Sequence, residues 1–445
     1  MVRTTLMCVL VLICASPVAA EGARKPPMGW NSWDCFQGNL NESIALEIAA
    51  AIKTHLLPSG YDSLTIDEFW YLGDCQAHSG CLDQHGRPQP DVAKWPSSAH
   101  GKGFKPVIDK IHAMGLKVGI HTLRGSVSAA AIAAKSPILG TKYTVDQIAT
   151  TGCSWNAGWF AVNMTHPAAQ PWLDSVYGQY AEWGVDLIKN DCIFAQNMKA
   201  DNIKAISAAI TKSGREMTYS LSPGGQNEIT QLVADAVEIA ASVNIYRITD
   251  DWHGGNMEHH FAVAAAMSQA GLIGGPTFNS RGSFPDLDML NPYQNASSDP
   301  NFKAQMTLWV ITRSPLIYGA DIRSATSADD FALLTNTEVL AVSAESSDNR
   351  PANITDPNRA GQTVTWMAKG ANGETYVAFI KRAQIATTAT VSFAELGMPA
   401  STKSCTVRDL WAGKAVTPVA GMAASWAQPG GSGYDGAIFS LTECS

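Results

Sequence analysis

The chain has 445 residues, of which 46% are hydrophobic and 16% charged, so it can bury a large core. A chain of this length favours two domains. Its formal net charge of -8 argues against nucleic-acid binding, which needs a basic surface.

The N-terminus is typical of a secretory signal peptide. A basic segment, Met1–Val2–Arg3, precedes the short apolar run Leu6–Ala15, and Val18–Ala19–Ala20 offers the small residues of a cleavage site after Ala20. A membrane anchor is the alternative, but the run is shorter than a comfortable membrane span, and no later apolar run is long enough to span a membrane. We therefore predict no membrane span and a secreted chain, destined for the extracellular space, the lysosome or the vacuole.

Glycosylation sequons and cysteines agree with secretion. Sequons occur at Asn41, Asn163, Asn295 and Asn353. Cys75 and Cys81 are close enough to close one loop, and Cys405 with Cys444 could close the C-terminal region. Cys35, Cys153 and Cys192 remain, so one of the three is expected to be free, and spacing alone does not decide the pairing.

Short apolar runs alternate with helix-period segments from Met28 to about Thr335. The predicted strands are Met28–Trp33, Ser63–Asp67, Lys117–His121, Gly184–Cys192, Glu216–Leu221, Val243–Ile248 and Leu316–Tyr318. The predicted helices are Ser43–Leu57, Phe104–Met114, one opened by Pro167, Asn202–Lys212, Ile229–Ala241, Phe261–Ala270 and Phe302–Ile311. A glycine-rich segment follows the helix Phe261–Ala270, and about eight strand–helix units result. This alternation predicts an α/β fold, a (β/α)8 TIM barrel, over residues 21–338.

The region from 339 to 445 has a different pattern, rich in Thr, Val, Gly and Ala. Alternating runs predict strands at Thr363–Met367, Thr375–Ile380, Ala389–Phe393, Thr406–Leu410 and Ala437–Leu441. We expect a C-terminal antiparallel β-sandwich domain built from hairpins.

The stretch Gly184–Cys192 places two charges on a face that should be buried. Side chains alternate along a strand, so Leu187, Lys189 and Asp191 share one face, and in a barrel that face is the interior. Buried charge is costly unless it is paired, so this arrangement indicates a functional site.

Carboxylates follow several predicted strands, at the end of a TIM barrel where active sites lie. They are Asp67–Glu68, Asp191, Asp250–Asp251 and Asp286–Asp288. One such residue could be a helix N-cap, but four strand ends favour a glycosidase, which needs an ionised carboxylate and a protonated carboxyl group. Lys189 would favour the ionised form of Asp191, the expected nucleophile. Either Asp250 or Asp251 could be the acid/base by composition.

Two tryptophans and ten histidines leave alternatives open. Trp33 and Trp70 could stack on a sugar ring, although core packing is the simpler role for either residue alone. A metal-dependent hydrolase is the competing chemistry, but no His-Glu-x-x-His motif occurs, and His259–His260 would diverge on a helix. We predict neither a catalytic metal nor a cofactor.

Five segments together resemble glycoside hydrolase family 27, which contains α-galactosidases (melibiases), α-N-acetylgalactosaminidases and β-L-arabinopyranosidases. They are Pro26–Trp33, Ile66–Trp70, Gly115–His121, Gly184–Asp191 and Asp286–Leu290, in family order. The resemblance implies a retaining double displacement on a (β/α)8 barrel without a cofactor. It implies a carbohydrate substrate, from a small glycoside to a polysaccharide, and no nucleic acid.

The resemblance also assigns roles to residues of this chain. Asp191 corresponds to the nucleophile, and Asp251, four residues after Arg247, corresponds to the acid/base. The sugar-binding positions correspond to Trp33, Asp67, Glu68, His121, Lys189, Ser222, Arg247 and Asp288.

Departures from the family pattern concern the substrate. Glu68 stands where α-galactosidases usually have aspartate, and its extra methylene could fill the space of the galactose C6 hydroxymethyl group, which L-arabinopyranose lacks. His121 replaces a common tyrosine, and Ser222 stands nearest to an acidic residue that reads the 2-substituent. Cys192 directly follows Asp191, whereas the family cysteine lies one position further on, and Cys153 is its candidate partner.

The sequence thus predicts an exo-glycosidase that hydrolyses terminal α-D-galactosides, β-L-arabinopyranosides or both. The alternatives are an α-N-acetylgalactosaminidase and a non-catalytic carbohydrate-binding relative. Retention of both Asp191 and Asp251 argues against the binding protein.

Overall fold

A computed structural model describes residues 25–71, 81–223, 228–252, 257–273, 282–291, 300–324, 326–382, 388–430 and 433–445. The expected signal peptide, Cys75 and the sequon at Asn295 lie outside these residues. No helix in the described part of the chain combines the length and hydropathy needed to cross a membrane.

Eight parallel strands form the N-terminal part of the molecule. In chain order they are β1 Met28–Asn31, β2 Ser63–Ile66, β3 Lys117–Leu123, β4 Leu187–Asp191, β5 Thr218–Leu221, β6 Ile245–Arg247, β7 Phe284–Asp286 and β8 Leu316–Tyr318. Each strand from β1 to β6 pairs with the next along the chain, and β8 pairs with β1. Leu290, just after β7, forms a parallel bridge with Tyr318 and closes the ring. The predicted TIM barrel is confirmed.

Helices follow the strands and cover the outside of the barrel. The long ones are Glu42–His55, Lys105–His112, Ala169–Trp183, Ala200–Lys212, Ile229–Ile239, Glu258–Gln269, Pro300–Ile311 and Thr337–Glu345. Shorter helices are Trp33–Phe36, Ala129–Ala133, Ala328–Leu334 and Pro357–Gln362.

Local chemistry explains where these helices begin and end. Asn41 caps Glu42–His55, because its side-chain oxygen accepts the backbone N–H of Ile44 at 3.1 Å. Gly184 ends Ala169–Trp183 in a left-handed conformation with a φ of 89°, which glycine adopts without steric cost. The chain then enters β4 directly, so this glycine fixes where the charged strand starts.

Strand alternation is as predicted in β4. Ile188 is fully buried in the hydrophobic core, whereas Leu187 and Lys189 line a small cavity inside the barrel. The shared inward face of Leu187, Lys189 and Asp191 is therefore confirmed. Some strand boundaries were wrong. Trp33 was assigned to the first strand, but it begins the helical turn Trp33–Phe36, and β4 begins at Leu187 and not at Gly184.

An insertion between β3 and the next long helix was not predicted. It contains an antiparallel sheet of Val127–Ser128, Ala149–Gly152 and Trp159–Val162. Asn202 binds this sheet to the barrel, since its side chain bonds both the N–H and the carbonyl of Val162. A disulfide between Cys153 and Cys192 joins the insertion to the end of β4.

The C-terminal part consists of antiparallel sheets. A six-stranded sheet has the order Ser347–Pro351, Thr363–Lys369, Thr375–Lys381, Asp435–Thr442, Thr406–Asp409, Lys414–Val416. A two-stranded sheet pairs Thr388–Val391 with Ala424–Ala427. The five predicted strands are present, and three others, Ser347–Pro351, Lys414–Val416 and Ala424–Ala427, were missed.

The C-terminal sheet packs on the barrel helices. Trp366, Ile380 and Ile438 belong to the same buried cluster as the barrel core. Trp411 donates to Thr307 at 3.1 Å, and Arg408 pairs with Glu338 at 2.6 Å. The predicted Cys405–Cys444 bond is present, and among the described cysteines Cys35 is free and half-buried.

Candidate active site

A cleft of about 510 Å³ opens at the C-terminal ends of the barrel strands. It is lined by Trp33, Asp34, Asp67, Glu68, His121, Ser154, Trp155, Lys189, Asp191, Gln196, Asn197, Pro223, Arg247, Asp250, Asp251, Asp288 and Met289. All the predicted site residues except Ser222 line this cleft. The expected clustering of strand-end carboxylates therefore occurs in the folded chain.

Asp191 is the last residue of β4 and its carboxylate is held on both oxygens. Oδ1 accepts the backbone N–H of Cys192 at 2.7 Å, and Oδ2 lies 3.4 Å from His121 Nε2. Burial alone would raise its pKa, but the His121 hydrogen bond and the charges of His121, Lys189 and Arg247 lower it below the ordinary aspartate value. Asp191 is thus ionised at neutral pH.

Lys189 bonds most directly to Asp67. Its Nζ donates to Asp67 Oδ2 at 2.7 Å, and Asn31 donates to the same oxygen at 2.7 Å. Burial opposes the charges, but Asp67 and Asp191 raise the pKa of Lys189, while Lys189 and His121 lower that of Asp67. The interior charges are therefore a paired set, and Lys189 affects Asp191 through space.

His121 lies between the two strand-end aspartates. Its Nε2 is 4.0 Å from Asp67 Oδ1, in addition to its contact with Asp191. Burial alone would lower the pKa of this imidazole, but the charges of Asp67, Glu68 and Asp191 and the hydrogen bond with Asp191 raise it above its ordinary value. The surrounding carboxylates therefore favour the protonated form of His121.

Glu68 reaches from β2 toward the insertion. Its Oε1 accepts Asn156 Nδ2 at 2.9 Å and lies 3.4 Å from the Tyr71 hydroxyl. Burial, together with the charges of Asp67 and Asp191, raises the pKa of Glu68. The side chain is thus fixed in place at the cleft wall.

Arg247 forms ion pairs with two carboxylates of the cleft, those of Asp251 and Asp288. Its guanidinium lies 2.6 Å from Asp251 and 3.3 Å from Asp288. The Asp251 side chain is 55% exposed, whereas that of Asp288 is 6% exposed. Asp288 also accepts the N–H of Trp252 at 2.5 Å, so it is an anchored residue and Asp251 an accessible one.

The two tryptophan candidates differ in position. Trp33 lines the cleft, half-buried. Trp70 is 2% exposed, packs edge-on against Tyr180 and Trp183, and donates to the His121 carbonyl at 2.7 Å. The core-packing alternative therefore holds for Trp70.

Ser222 lines the small cavity inside the barrel, whereas its neighbour Pro223 lines the cleft. Within the described chain, the Ser222 hydroxyl is buried without a hydrogen-bond partner. Its predicted contact with the substrate 2-position has no support from this placement.

Unpredicted residues also belong to the site: Asp34 and Trp155 line the cleft, and Asn156 bonds Glu68 at its wall. Burial and the nearby charge of Asp288 raise the pKa of Asp34 to about 7, and Asn291 donates to its carboxyl at 3.0 Å. Asp34 directly follows Trp33, so its proximity to the site could have been inferred. Trp155 and Asn156 come from the insertion, whose sequence shows no alternation that indicates its path.

Comparisons with known proteins agree with this geometry. The family model described as alpha galactosidase A (melibiase) matches residues 25–166 and 161–345, and the alpha galactosidase C-terminal beta sandwich domain matches residues 360–430. The chain is 27% identical over 399 residues to Alpha-galactosidase 3 of Arabidopsis thaliana, covering 89% of this chain and 77% of that protein.

Solved structures extend the match to the whole fold. A family 27 β-L-arabinopyranosidase from Geobacillus stearothermophilus superposes with a TM-score of 0.82 at 30% identity, covering 94% of this chain and 97% of the other. A variant of that enzyme in complex with arabinose gives a TM-score of 0.81 at 30% identity, with 95% and 98% covered. The chain therefore belongs to glycoside hydrolase family 27, the melibiase family, and is a glycoside hydrolase.

Proposed function

We propose that this protein is a secreted, retaining exo-glycosidase that removes terminal β-L-arabinopyranosyl or α-D-galactosyl residues by double displacement. The observation that supports it most is Asp191, an ionised carboxylate fixed by His121 and the Cys192 N–H in a cleft that also contains the accessible Asp251. A retaining glycosidase needs this pair of groups.

In the first step, Asp191 attacks the anomeric carbon and the glycosidic bond breaks. Asp251 gives its proton to the departing oxygen, so the leaving group departs as a neutral alcohol and a glycosyl–Asp191 ester remains. In the second step, Asp251 takes a proton from water, which attacks the same carbon and releases Asp191. Two inversions retain the configuration.

The order of preference rests on Glu68. L-Arabinopyranose and D-galactose share their ring stereochemistry and differ at C6, so a longer side chain at the cleft wall favours the smaller sugar. The hydrogen bond from Asn156 holds Glu68 in place, so it cannot fold aside at no cost. We therefore propose β-L-arabinopyranosides as the preferred substrates and α-D-galactosides as secondary ones.

The test is turnover of a panel of nitrophenyl glycosides, with the two named sugars as the expected substrates. Asp191→Asn should lower kcat by roughly 10³-fold or more, because it removes the nucleophile with little change of shape. Binding of L-arabinose to this variant, measured by calorimetry, should persist.

Asp250→Asn is the matched control for the acid/base. Asp250 lines the same cleft, but the proposed mechanism gives it no proton transfer, so Asp250→Asn should keep most activity. Asp251→Asn should lose activity most severely on substrates with poor leaving groups, which need the proton from the acid. A wild type that binds L-arabinose or galactose yet hydrolyses no aryl glycoside would instead establish a carbohydrate-binding protein.

A further inference from the structure

Trp155 is a large aromatic residue that is exposed to solvent at the active-site cleft. It is 50% exposed, whereas the other 12 tryptophans, all of them in the described part of the chain, are buried or half-buried. Leaving a large indole in water forgoes much favourable burial, and isolated exposed aromatics at a cleft often serve binding. Trp155 also lines the active-site cleft.

The backbone on both sides of Trp155 is tied to the catalytic site. Cys153 is bonded to Cys192, the residue after Asp191, and Ser154 donates to Asn197 at 3.0 Å. On the other side, Asn156 donates to Glu68 at 2.9 Å. The indole is thus presented from a fixed segment, which reduces the entropy lost when a ligand stacks on it.

We propose that Trp155 is the platform for the leaving-group sugar, the ring attached to the one that is cleaved. This inference rests on the proposed function, since it assigns a second subsite to the same cleft. At about 510 Å³ the cleft falls in the range of pockets that take drug-sized ligands, and it exceeds the needs of one pentopyranose.

The lining of the cleft indicates that this sugar is neutral. The carboxyl groups are Asp34, Asp67, Glu68, Asp191, Asp250, Asp251 and Asp288, and they outnumber the basic groups Lys189, Arg247 and His121. A leaving group with uronate, sulfate or phosphate charges would be repelled. A pyranose offers an apolar C–H face to the indole and hydroxyl groups to the surrounding acids.

The experiment compares two substrates with the same glycone, β-L-arabinopyranosyl fluoride and a β-L-arabinopyranosyl–hexose disaccharide. Fluoride has no ring to stack, so only the disaccharide uses the platform. Trp155→Ala should lower the ratio of kcat/KM for the disaccharide to that for the fluoride by roughly tenfold, and Trp155→Phe should restore most of it.

Leu139→Ala is the matched control, because Leu139 is 46% exposed in the same insertion and does not line the cleft. In Leu139→Ala the ratio of kcat/KM for the disaccharide to that for the fluoride should equal the wild-type ratio. An unchanged ratio in Trp155→Ala would overturn the platform. A loss confined to nitrophenyl glycosides would overturn the sugar assignment in favour of an aromatic leaving group.

A wild type that leaves the fluoride intact would contradict the proposed function and not the platform. Calorimetric titration of Asp191→Asn with the disaccharide and with free L-arabinose then tests the platform separately. Adding Trp155→Ala should weaken disaccharide binding about tenfold and L-arabinose binding much less. Equal weakening of both would contradict the second subsite.

Discussion

Glu68 is the residue on which the choice of sugar depends. Its carboxylate is bonded to Asn156 and lies near Tyr71, so its length is directed along the cleft wall. Glu68→Asp should raise the kcat/KM for α-D-galactoside relative to β-L-arabinopyranoside by roughly tenfold, the value of about one methylene in a substrate pocket. The two nitrophenyl glycosides give the ratio.

Glu42→Asp is the control for this change. Glu42 is also buried, but it bonds Ser97 and Lys110 at the start of a barrel helix. Its ratio should match the wild type, and an unchanged ratio in Glu68→Asp would show that Glu68 does not set the preference.

His121 controls the ionisation of Asp191. Burial would raise the pKa of Asp191, and the hydrogen bond and charge of His121 are the first of the effects that lower it. His121→Phe should therefore raise that pKa, and the acidic limb of the pH profile of kcat/KM should move to higher pH. His55→Phe, at an exposed helix end, should leave the limb in place.

The same contact contributes to stability with a definite sign. The folded pKa of His121 is raised above its unfolded value, so its stabilising effect is complete below the unfolded pKa and is lost as pH rises through the folded pKa. If the acidic limb of the kcat/KM profile does not move in His121→Phe, the result would contradict the control of Asp191 ionisation by His121.

The sequence is sufficient for some site residues and insufficient for others. Strand alternation predicts the inward face of Lys189 and Asp191, because the period of a strand is fixed. It cannot predict that Lys189 bonds Asp67, 122 residues away, since that depends on the strand order around the barrel. Trp155 and Asn156 lie on an irregular loop with no period to follow.

At the scale of elements, the insertion and its disulfide form part of the site. Strands such as Ala149–Gly152 are short and partly exposed, so they lack the apolar alternation that identified the barrel strands. Seven of the eight long helices were predicted to within a few residues, because most of them combine apolar residues at helical spacing with a defined stop, whereas Thr337–Glu345 was not predicted. The insertion was not predicted because its segments have neither a clear apolar periodicity nor a defined stop.

Two disulfides offer a matched comparison, since each joins cysteines 39 residues apart. Chain-entropy arguments give each about 4 kcal/mol of stabilisation for a loop of this length. Cys153→Ser with Cys192→Ser should lower both the free energy of unfolding in urea and kcat/KM, because Glu68 and the end of β4 lose a support.

Cys405→Ser with Cys444→Ser should lower the free energy of unfolding to a similar extent and leave kcat/KM near that of the wild type. This bond lies in the C-terminal sheet, away from the residues that line the cleft. Equal losses of activity in the two double variants would contradict a specific role for the insertion.

At the scale of the whole molecule, barrel and C-terminal sheet share a tightly packed joint. A Cβ added at Gly436 would lie 2.3 Å from Thr307 Oγ1, on the helix that precedes β8. Gly436→Ala should therefore cost about 1–3 kcal/mol of stability through overpacking, measured by urea unfolding. Gly361→Ala, with no atom within 4 Å of the added Cβ, should be near neutral.

The TIM barrel followed by a β-sheet domain could be predicted because eight alternations leave few topologies. The joint could not, since Gly436 and Thr307 are distant in sequence and meet only after both parts have folded. A Gly436→Ala variant as stable as the wild type would show that Thr307 and its surroundings can shift to accommodate the added methyl group.

If the reaction is a double displacement, Asp191 carries a covalent glycosyl intermediate during turnover. A 2-deoxy-2-fluoro-β-L-arabinopyranosyl fluoride slows both steps, yet its fluoride leaving group keeps the first step faster, so the ester should accumulate. Mass spectrometry of the digested protein should find one sugar adduct, on the peptide that contains Asp191, and none in Asp191→Asn. An adduct on another residue, or turnover of ordinary substrate with inversion and no adduct, would contradict the double displacement at Asp191.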